Sequence, residues 1–87
     1  MNVDQRLDEI YEELDVLLFA GKYEEADEIL SDVNVNVEPL EILVGYLSIT
    51  FMSRERLLAR QPLMHAIRER VEHEVPERAQ GILGGLD

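Results

Sequence analysis

The chain has 87 residues, of which 46% are hydrophobic and 31% are charged, and its formal net charge is −11. This length fits one domain with a thin core, and the balance of residue types is not that of a disordered chain. The absence of cysteine excludes disulfides and thiolate metal sites, and the negative charge argues against direct binding of nucleic acid.

The negative charge is concentrated in the first part of the chain. Residues 1–50 contain thirteen acids and two bases, whereas residues 51–87 contain six of each. An acidic surface attracts a basic partner and speeds its encounter. Two interpretations stay open, because rows of acids also serve as a solvated surface that keeps a small protein soluble.

No targeting or membrane signal is expected. No basic segment precedes an apolar stretch at the N-terminus, and the longest apolar stretch, Leu40 to Met52, is shorter than the ~20 residues that span a bilayer. We therefore expect a cytoplasmic protein that does not bind membranes.

Apolar residues near the N-terminus recur with helical spacing: Val3, Leu7, Ile10, Leu14 and Leu17. They predict a first helix from about Val3 to Ala20, with acids on its other faces. Gly21 ends this helix, because glycine adopts a left-handed conformation without steric cost.

A second helix is predicted to start near Lys22, with Tyr23, Ala26 and Leu30 on its apolar face. The link to the first helix is so short that the two must be antiparallel neighbours.

Residues 32–37 then break the helical pattern. Valine alternates there with asparagine, which is typical of a strand, but the run is too short for a sheet and predicts an extended connection.

A third helix is predicted from Pro39, which suits a first helical turn, to about Met52. Apolar residues cover nearly its whole circumference, which is typical of a buried helix. A chain this small offers few neighbours, so either this helix is central or part of it is an interface. The predicted self-association residues are Leu43, Tyr46, Leu47 and Phe51.

Ser53 is predicted to be the N-cap of a fourth helix, with Arg54, Arg56 and Arg60 facing outward. Pro62 interrupts this helix, and the pattern does not decide whether the chain kinks or restarts there. A helical pattern runs on from Pro62 to Val75.

Residues 1–80 are predicted to form the single helical domain, and residues 81–87 a flexible apolar C-terminal tail. The tail carries Ile82, Leu83 and Leu86, and it is either a frayed end or a segment that docks on a partner. The expected fold is all-α, a small antiparallel helical bundle of four to five helices.

The first hairpin resembles a tetratricopeptide repeat over about residues 7–39. Gly21, Tyr23 and Ala26 stand where that family has the glycine, aromatic residue and alanine that join its two helices. The sequence departs from the family at Leu14, where a small residue is usual, and a shift of 34 residues places Glu55 at the glycine position. The resemblance implies a scaffold that binds peptides or proteins and carries no catalytic residues.

No catalytic or metal-binding pattern stands out. His65, Glu69 and His73 share one side of a helix, but the two histidines are ~12 Å apart along the axis, too far for one metal ion. The many carboxylates are exposed by pattern, and catalytic acids need a pocket that shifts their pKa. We expect no enzyme, no cofactor, no metal and no small-molecule substrate.

The sequence thus favours a non-enzymatic protein–protein interaction module, a small acidic adaptor or chaperone-like protein that forms a homodimer. Its partner is another protein with a basic surface. The alternative is an acidic mimic of nucleic acid that inhibits a nucleic-acid-binding enzyme, as phage anti-defence proteins do. The residues predicted to bind the partner are Glu12, Glu13, Asp15, Glu24, Glu25, Asp27 and Glu28.

Overall fold

A computed structural model describes residues 2–84, and this part of the chain contains helices and no strand. The expected all-α class is thereby confirmed. The helices are α1 (Val3–Phe19), α2 (Tyr23–Ser31), α3 (Leu40–Thr50), a 3₁₀ segment (Phe51–Arg56), α4 (Arg60–Glu74) and the short α5 (Ala79–Leu83).

The first hairpin forms as its sequence predicts. The side chain of Asn2 caps α1 by accepting a hydrogen bond of 2.8 Å from the backbone N–H of Gln5. Gly21 has φ 75°, in the left-handed region. This conformation brings the N–H of Lys22 to 2.8 Å from the carbonyl of Leu17, which closes the helix end and turns the chain into α2.

The two helix pairs stack on each other. The most extensive packing is between α1 and α3, and α2 packs on α4. A Cβ placed on Gly45 would meet Leu7, and further along the two helices Tyr11 and Asp15 lie beside Ser48 and Ile49. Residues later in α1 therefore lie beside residues later in α3, so the two helices run in the same direction.

The connection before α3 is a compact turn, so the predicted extended conformation is wrong. The carbonyl of Asn34 accepts hydrogen bonds from the N–H groups of Val37 and Glu38, both 3.2 Å, and its side chain accepts one of 3.0 Å from Asn36. Asparagine bonds readily to the backbone two residues on, which favours a turn. Arg70 holds this turn against α4 by donating to the carbonyls of Val35 and Glu38.

The start of α4 also differs from the prediction. Ser53 caps nothing, and its backbone (φ −112°, ψ 17°) interrupts the 3₁₀ segment instead. Pro62 is the third residue of α4, where a backbone N–H has no intrahelical partner. It therefore neither kinks nor splits a helix.

Arg60 was expected to face outward and is instead buried, with 1% of its surface exposed. Its Nε donates to the hydroxyl of Thr50 at 2.9 Å, and its Nη2 donates to the carbonyl of Leu47 at 3.3 Å. A buried guanidinium persists where its N–H groups find acceptors. These bonds fasten the first turn of α4 to the last turn of α3.

The predicted boundary at residue 81 is wrong. Ala79 and Leu83 lie one turn apart on α5 and are 8% and 4% exposed, because α5 packs against α4 and both side chains join the core. Residues 81–83 thus belong to the domain and not to a flexible tail. Leu86 lies outside the described residues.

The helices of the described chain include none with the length and apolar character needed to cross a bilayer.

Candidate protein-binding surface

Most of the predicted acidic residues are exposed on the outer sides of α1 and α2. Glu24 and Glu25 occupy the first turn of α2, where a carboxylate is favoured by the positive end of the helix dipole. We call the exposed set the acidic face: Glu12, Glu13, Asp15, Glu24, Glu25 and Glu28.

Asp27 was predicted to bind a partner together with these acids, but the structure gives it an internal role. It is only partly exposed, and its Oδ1 accepts a hydrogen bond of 2.7 Å from the backbone N–H of Ala59. This bond ties the middle of α2 to the residue before α4. Asp27 therefore does not belong to the acidic face.

The predicted self-association residues do not form one surface. Leu43 and Leu47 have no exposed surface and belong to the core, so assigning them to an interface is wrong. Tyr46 and Phe51 are half-buried. Their neighbours differ, since Tyr46 lies near Arg6 and Glu38, whereas Phe51 lies under two arginines at the end of α3.

A groove that sequence reasoning missed runs between α1 and α3. We call it the α1–α3 groove, and its lining is Tyr11, Asp15, Ser48 and Ile49. The two helices come close at Gly45, where the absence of a side chain leaves room for Leu7. Beyond this point the groove is open to solvent.

Two large apolar side chains near the C-terminal ends of α1 and α3 are almost fully exposed, and neither is among the residues that line the groove. Phe19 follows Asp15 by one helical turn and is 96% exposed, and Met52 follows Ser48 by four residues and is 90% exposed. Tyr11 is itself 39% exposed. The sequence held a signal for Phe19, because this residue falls outside the apolar stripe that ends at Leu17.

Carboxylates are exposed on both helices that form the groove. On α1, Asp8, Glu12 and Asp15 are exposed at spacings of four and three residues, on the side that also carries Phe19. On α3, Glu41 is exposed one turn before Gly45. The groove lining thus combines two apolar side chains, Tyr11 and Ile49, with the polar Asp15 and Ser48, and further carboxylates are exposed on the same side of α1.

Arginines position the 3₁₀ segment that carries Met52. The guanidinium of Arg54 lies 5.3 Å from the centre of the Phe51 ring, and that of Arg56 lies 5.2 Å from the Tyr23 ring. Arg56 also donates to the Tyr23 hydroxyl at 3.0 Å. The contacts of Arg56 join the 3₁₀ segment to the start of α2.

An ion pair lies at the opposite end of α1. Arg6 Nη1 is 2.7 Å from Glu38 Oε2, and Tyr46 lines the same concavity. Burial raises the pKa of Tyr46, and the negative charge of Glu38 raises it further while Arg6 opposes the change. This cluster joins α1, the turn before α3, and α3.

The histidines assemble no metal site with their neighbours in residues 2–84. His65 Nε2 lies 3.5 Å from Glu69 Oε1, and both side chains are about three-quarters exposed. No group of three histidines and acids in this part of the chain could hold an ion.

Comparison of the chain with protein families, with curated proteins and with solved structures finds no match.

Proposed function

We propose that this protein is a non-enzymatic protein-binding module, a small acidic adaptor or chaperone-like protein whose partner carries a basic surface. The observation that carries the proposal is the acidic face, six exposed carboxylates on the neighbouring helices α1 and α2. The chain also leaves two large apolar side chains, Phe19 and Met52, almost fully exposed. A charged surface of one sign attracts a partner of the opposite sign, and exposed large apolar side chains contribute to interaction surfaces.

Burial of exposed apolar side chains favours association with a partner. Burying a phenylalanine or methionine side chain stabilises a fold by about 1.5–3 kcal/mol. A chain this short has a thin core, so burying such residues would add to its stability. This chain leaves both Phe19 and Met52 in water and builds its core mainly from leucine, isoleucine and valine. Association with another protein would bury these two side chains, which folding leaves exposed.

The chemistry of the acids also favours binding over catalysis. A catalytic carboxylate needs a water-poor setting that changes its proton affinity, and the acidic face is open to solvent. The absence of cysteine fits a reducing compartment, so the proposal places the protein in the cytoplasm.

The test is affinity capture from the source cells, followed by reconstitution of the purified partner with this chain. The informative variant neutralises Glu12, Glu13, Glu24 and Glu25 to glutamine. A matched control neutralises the same number of exposed acids elsewhere: Glu55, Glu69, Glu72 and Glu77. We expect the first variant to weaken the complex at least about tenfold and the control to leave it within about twofold. Equal effects of the two variants would contradict the proposal.

A second candidate function is mimicry of nucleic acid, as an inhibitor that occupies the basic groove of an enzyme. It is favoured by the exposure of all six carboxylates of the acidic face on two neighbouring helices. Binding by a mimic weakens steeply with salt and tolerates polar substitutions at Phe19 and Met52. Reconstituted binding that depends on these two side chains and persists in high salt excludes mimicry.

Self-association stays a prediction, now without Leu43 and Leu47. The half-buried Tyr46 and Phe51 are the residues of the predicted interface that retain accessible surface. Sedimentation equilibrium at low and high salt measures the mass directly. A dimer that Phe51→Glu dissociates without unfolding would support this interface, and a monomer under both conditions would exclude it.

A further inference from the structure

We propose that α5 is a strap that detaches from α4 by itself while the rest of the fold stays intact, and that its release uncovers apolar surface on α4. This inference goes beyond the proposed function and does not depend on it. It follows from the position of α5, from the contacts that hold it and from its weakness as a helix.

The position of α5 follows from the turn before it. Residues 75–78 join α4 to α5, and the N–H of Arg78 closes this turn by donating to the carbonyl of Val75 at 2.9 Å. So short a link places α5 beside the last turns of α4, and the packing of α5 on α4 agrees with this. Val71, in this part of α4, is fully buried. The strap therefore covers the C-terminal part of α4.

Apolar side chains hold the strap in place. Ala79 and Leu83 are its buried residues. Within residues 2–84, no side chain of α5 makes a hydrogen bond or an ion pair. The start of α4 is held differently, because Arg60 and Asp27 fasten it through hydrogen bonds. Detaching α5 thus breaks no polar contact of a side chain and leaves no buried polar partner unsatisfied.

As a helix, α5 is weak. It has five residues and no side-chain cap, and isolated helices shorter than about 12 residues are marginal in water. Gly81 lies at its centre, and glycine disfavours a helix about fivefold relative to alanine. Neither packing nor backbone conformation requires glycine there, because an added Cβ would meet no atom within 4 Å and its φ is not positive. Gly81 therefore weakens the strap without a gain in packing.

These properties predict two levels of opening. A short segment held by few apolar contacts opens more readily than the whole domain. When the strap opens, α1, α2, α3 and α4 keep their contacts with one another. The closed strap completes the core, and the open strap presents the apolar side of the last turns of α4 to solvent.

Native-state hydrogen exchange of the full chain tests the inference, with rates measured by NMR and corrected for intrinsic exchange. The probes in the strap are the amides of Ile82 and Gly84, which donate to the carbonyls of Arg78 at 3.0 Å and Gln80 at 2.8 Å. The reference is the amide of Ile67, in the middle of α4. We expect both strap amides to exchange at least about a hundredfold faster than Ile67. Equal protection of strap and reference overturns the inference.

A mild core variant separates local opening from global unfolding. Ile10→Val removes one methylene from α1, and the main packing partner of α5 is α4. The variant should speed the exchange of Ile67 by about two- to tenfold, because global unfolding becomes easier. It should leave the rate of Ile82 unchanged. Equal acceleration of the two amides would show that α5 opens only together with the whole domain.

The two glycines at the end of the described chain give a matched pair of variants. Gly81→Ala strengthens the helix at an open position and should slow the exchange of Ile82 about fivefold. Gly84→Ala is the control, because its Cβ would lie 2.6 Å from the carbonyl oxygen of Gln80. It should not slow the exchange. Rates unaffected by Gly81→Ala, or slowed equally by both variants, contradict the strap.

The uncovered surface is detected with Nile red, an uncharged dye that an acidic protein does not repel. Leu83→Ser removes the larger anchor of the strap and should raise the dye fluorescence at least about twofold, while circular dichroism keeps nearly all of its helical signal. Leu58→Ser is the control, because it removes a leucine that is already 80% exposed, and it should not raise the fluorescence. An equal dye response in the two variants, or loss of the whole helical signal in Leu83→Ser, overturns the inference.

Discussion

At the scale of single residues, Asp27 connects two helices that are distant in sequence. Its carboxylate accepts a hydrogen bond from the partly buried N–H of Ala59, so it stabilises the fold where its exposed neighbours do not. Removing the acceptor leaves that N–H without its partner. We expect Asp27→Ala to lower the free energy of unfolding by about 1–3 kcal/mol, measured by urea denaturation. Glu28→Ala, at the adjacent exposed position, should change it by less than about 0.5 kcal/mol. Equal losses would show that the bond contributes nothing.

Tyr46 makes stability depend on alkaline pH. Burial beside Glu38 raises the pKa of its hydroxyl in the folded state, so the folded chain keeps this proton to higher pH than the unfolded chain does. The resulting stabilisation is complete below the unfolded value of about 10 and is lost as the pH rises through the folded value. Above pH ~10, the free energy of unfolding should fall more steeply for the original chain than for Tyr46→Phe. Parallel falls in denaturation series across this range would contradict the assignment.

Residue-scale errors in the sequence prediction share one physical cause. Arg60 has the charge of a surface residue, yet its position beside Thr50 and Leu47 supplies the acceptors that allow burial. Asp27 has the same residue type as its exposed neighbours, and only the return of the chain at Ala59 distinguishes it. The groups to which Arg60 and Asp27 bond in these contacts lie more than one helical turn away along the chain. Local sequence patterns therefore carry no information about these contacts.

At the scale of helices, Gly45 determines how closely α3 approaches α1. In an exposed helix, replacing glycine with alanine raises the free energy of unfolding by about 1 kcal/mol through helix propensity. Here the new Cβ would collide with the side chain of Leu7, so we expect Gly45→Ala alone to forfeit that gain. In a Leu7→Ala background the same change should stabilise by about 1 kcal/mol. Denaturant unfolding of the four proteins of this double-mutant cycle measures the difference, and identical effects in both backgrounds would exclude the close approach.

Helix boundaries were predictable where a strong local signal exists. The spacing from Val3 to Leu17 and the glycine at position 21 predict α1 and its end within one residue. The prediction failed at Ser53, whose residue type suits a helix cap but which caps no helix. It also failed at residues 32–37, whose valines suit an extended strand but lie in a turn. Asn34 closes a turn there, and Arg70, distant in sequence, holds that turn in place.

At the scale of the whole molecule, the charge distribution should make the melting temperature depend on salt concentration. The acids of α1 and α2 repel one another at low ionic strength, and salt screens this repulsion over a Debye length of about 10 Å at 0.1 M. We expect the melting temperature to rise between low salt and about 0.15 M salt, measured by circular dichroism. A fall over this range would mean that the ion pair of Arg6 with Glu38 and similar contacts outweigh the repulsion.

The sequence predicts the charge of the candidate surface and misses its shape. Rows of acids on α1 and α2 follow from helical spacing alone, and their exposure agrees with it. Which residues of the apolar α3 face inward depends on where α1 and α4 pack, and the all-apolar pattern holds no such information. Leu43 and Leu47 therefore looked available for an interface, and the groove formed with α1 was not predicted.

The most direct test of the proposed function is an NMR titration of the isotopically labelled protein with the purified partner. The largest changes in amide chemical shift should fall on α1 and α2 around the acidic face, and α4 should change little. Changes that centre on α4, or that spread evenly over the charged surface, would contradict the central claim that the acidic face is where the protein binds its partner.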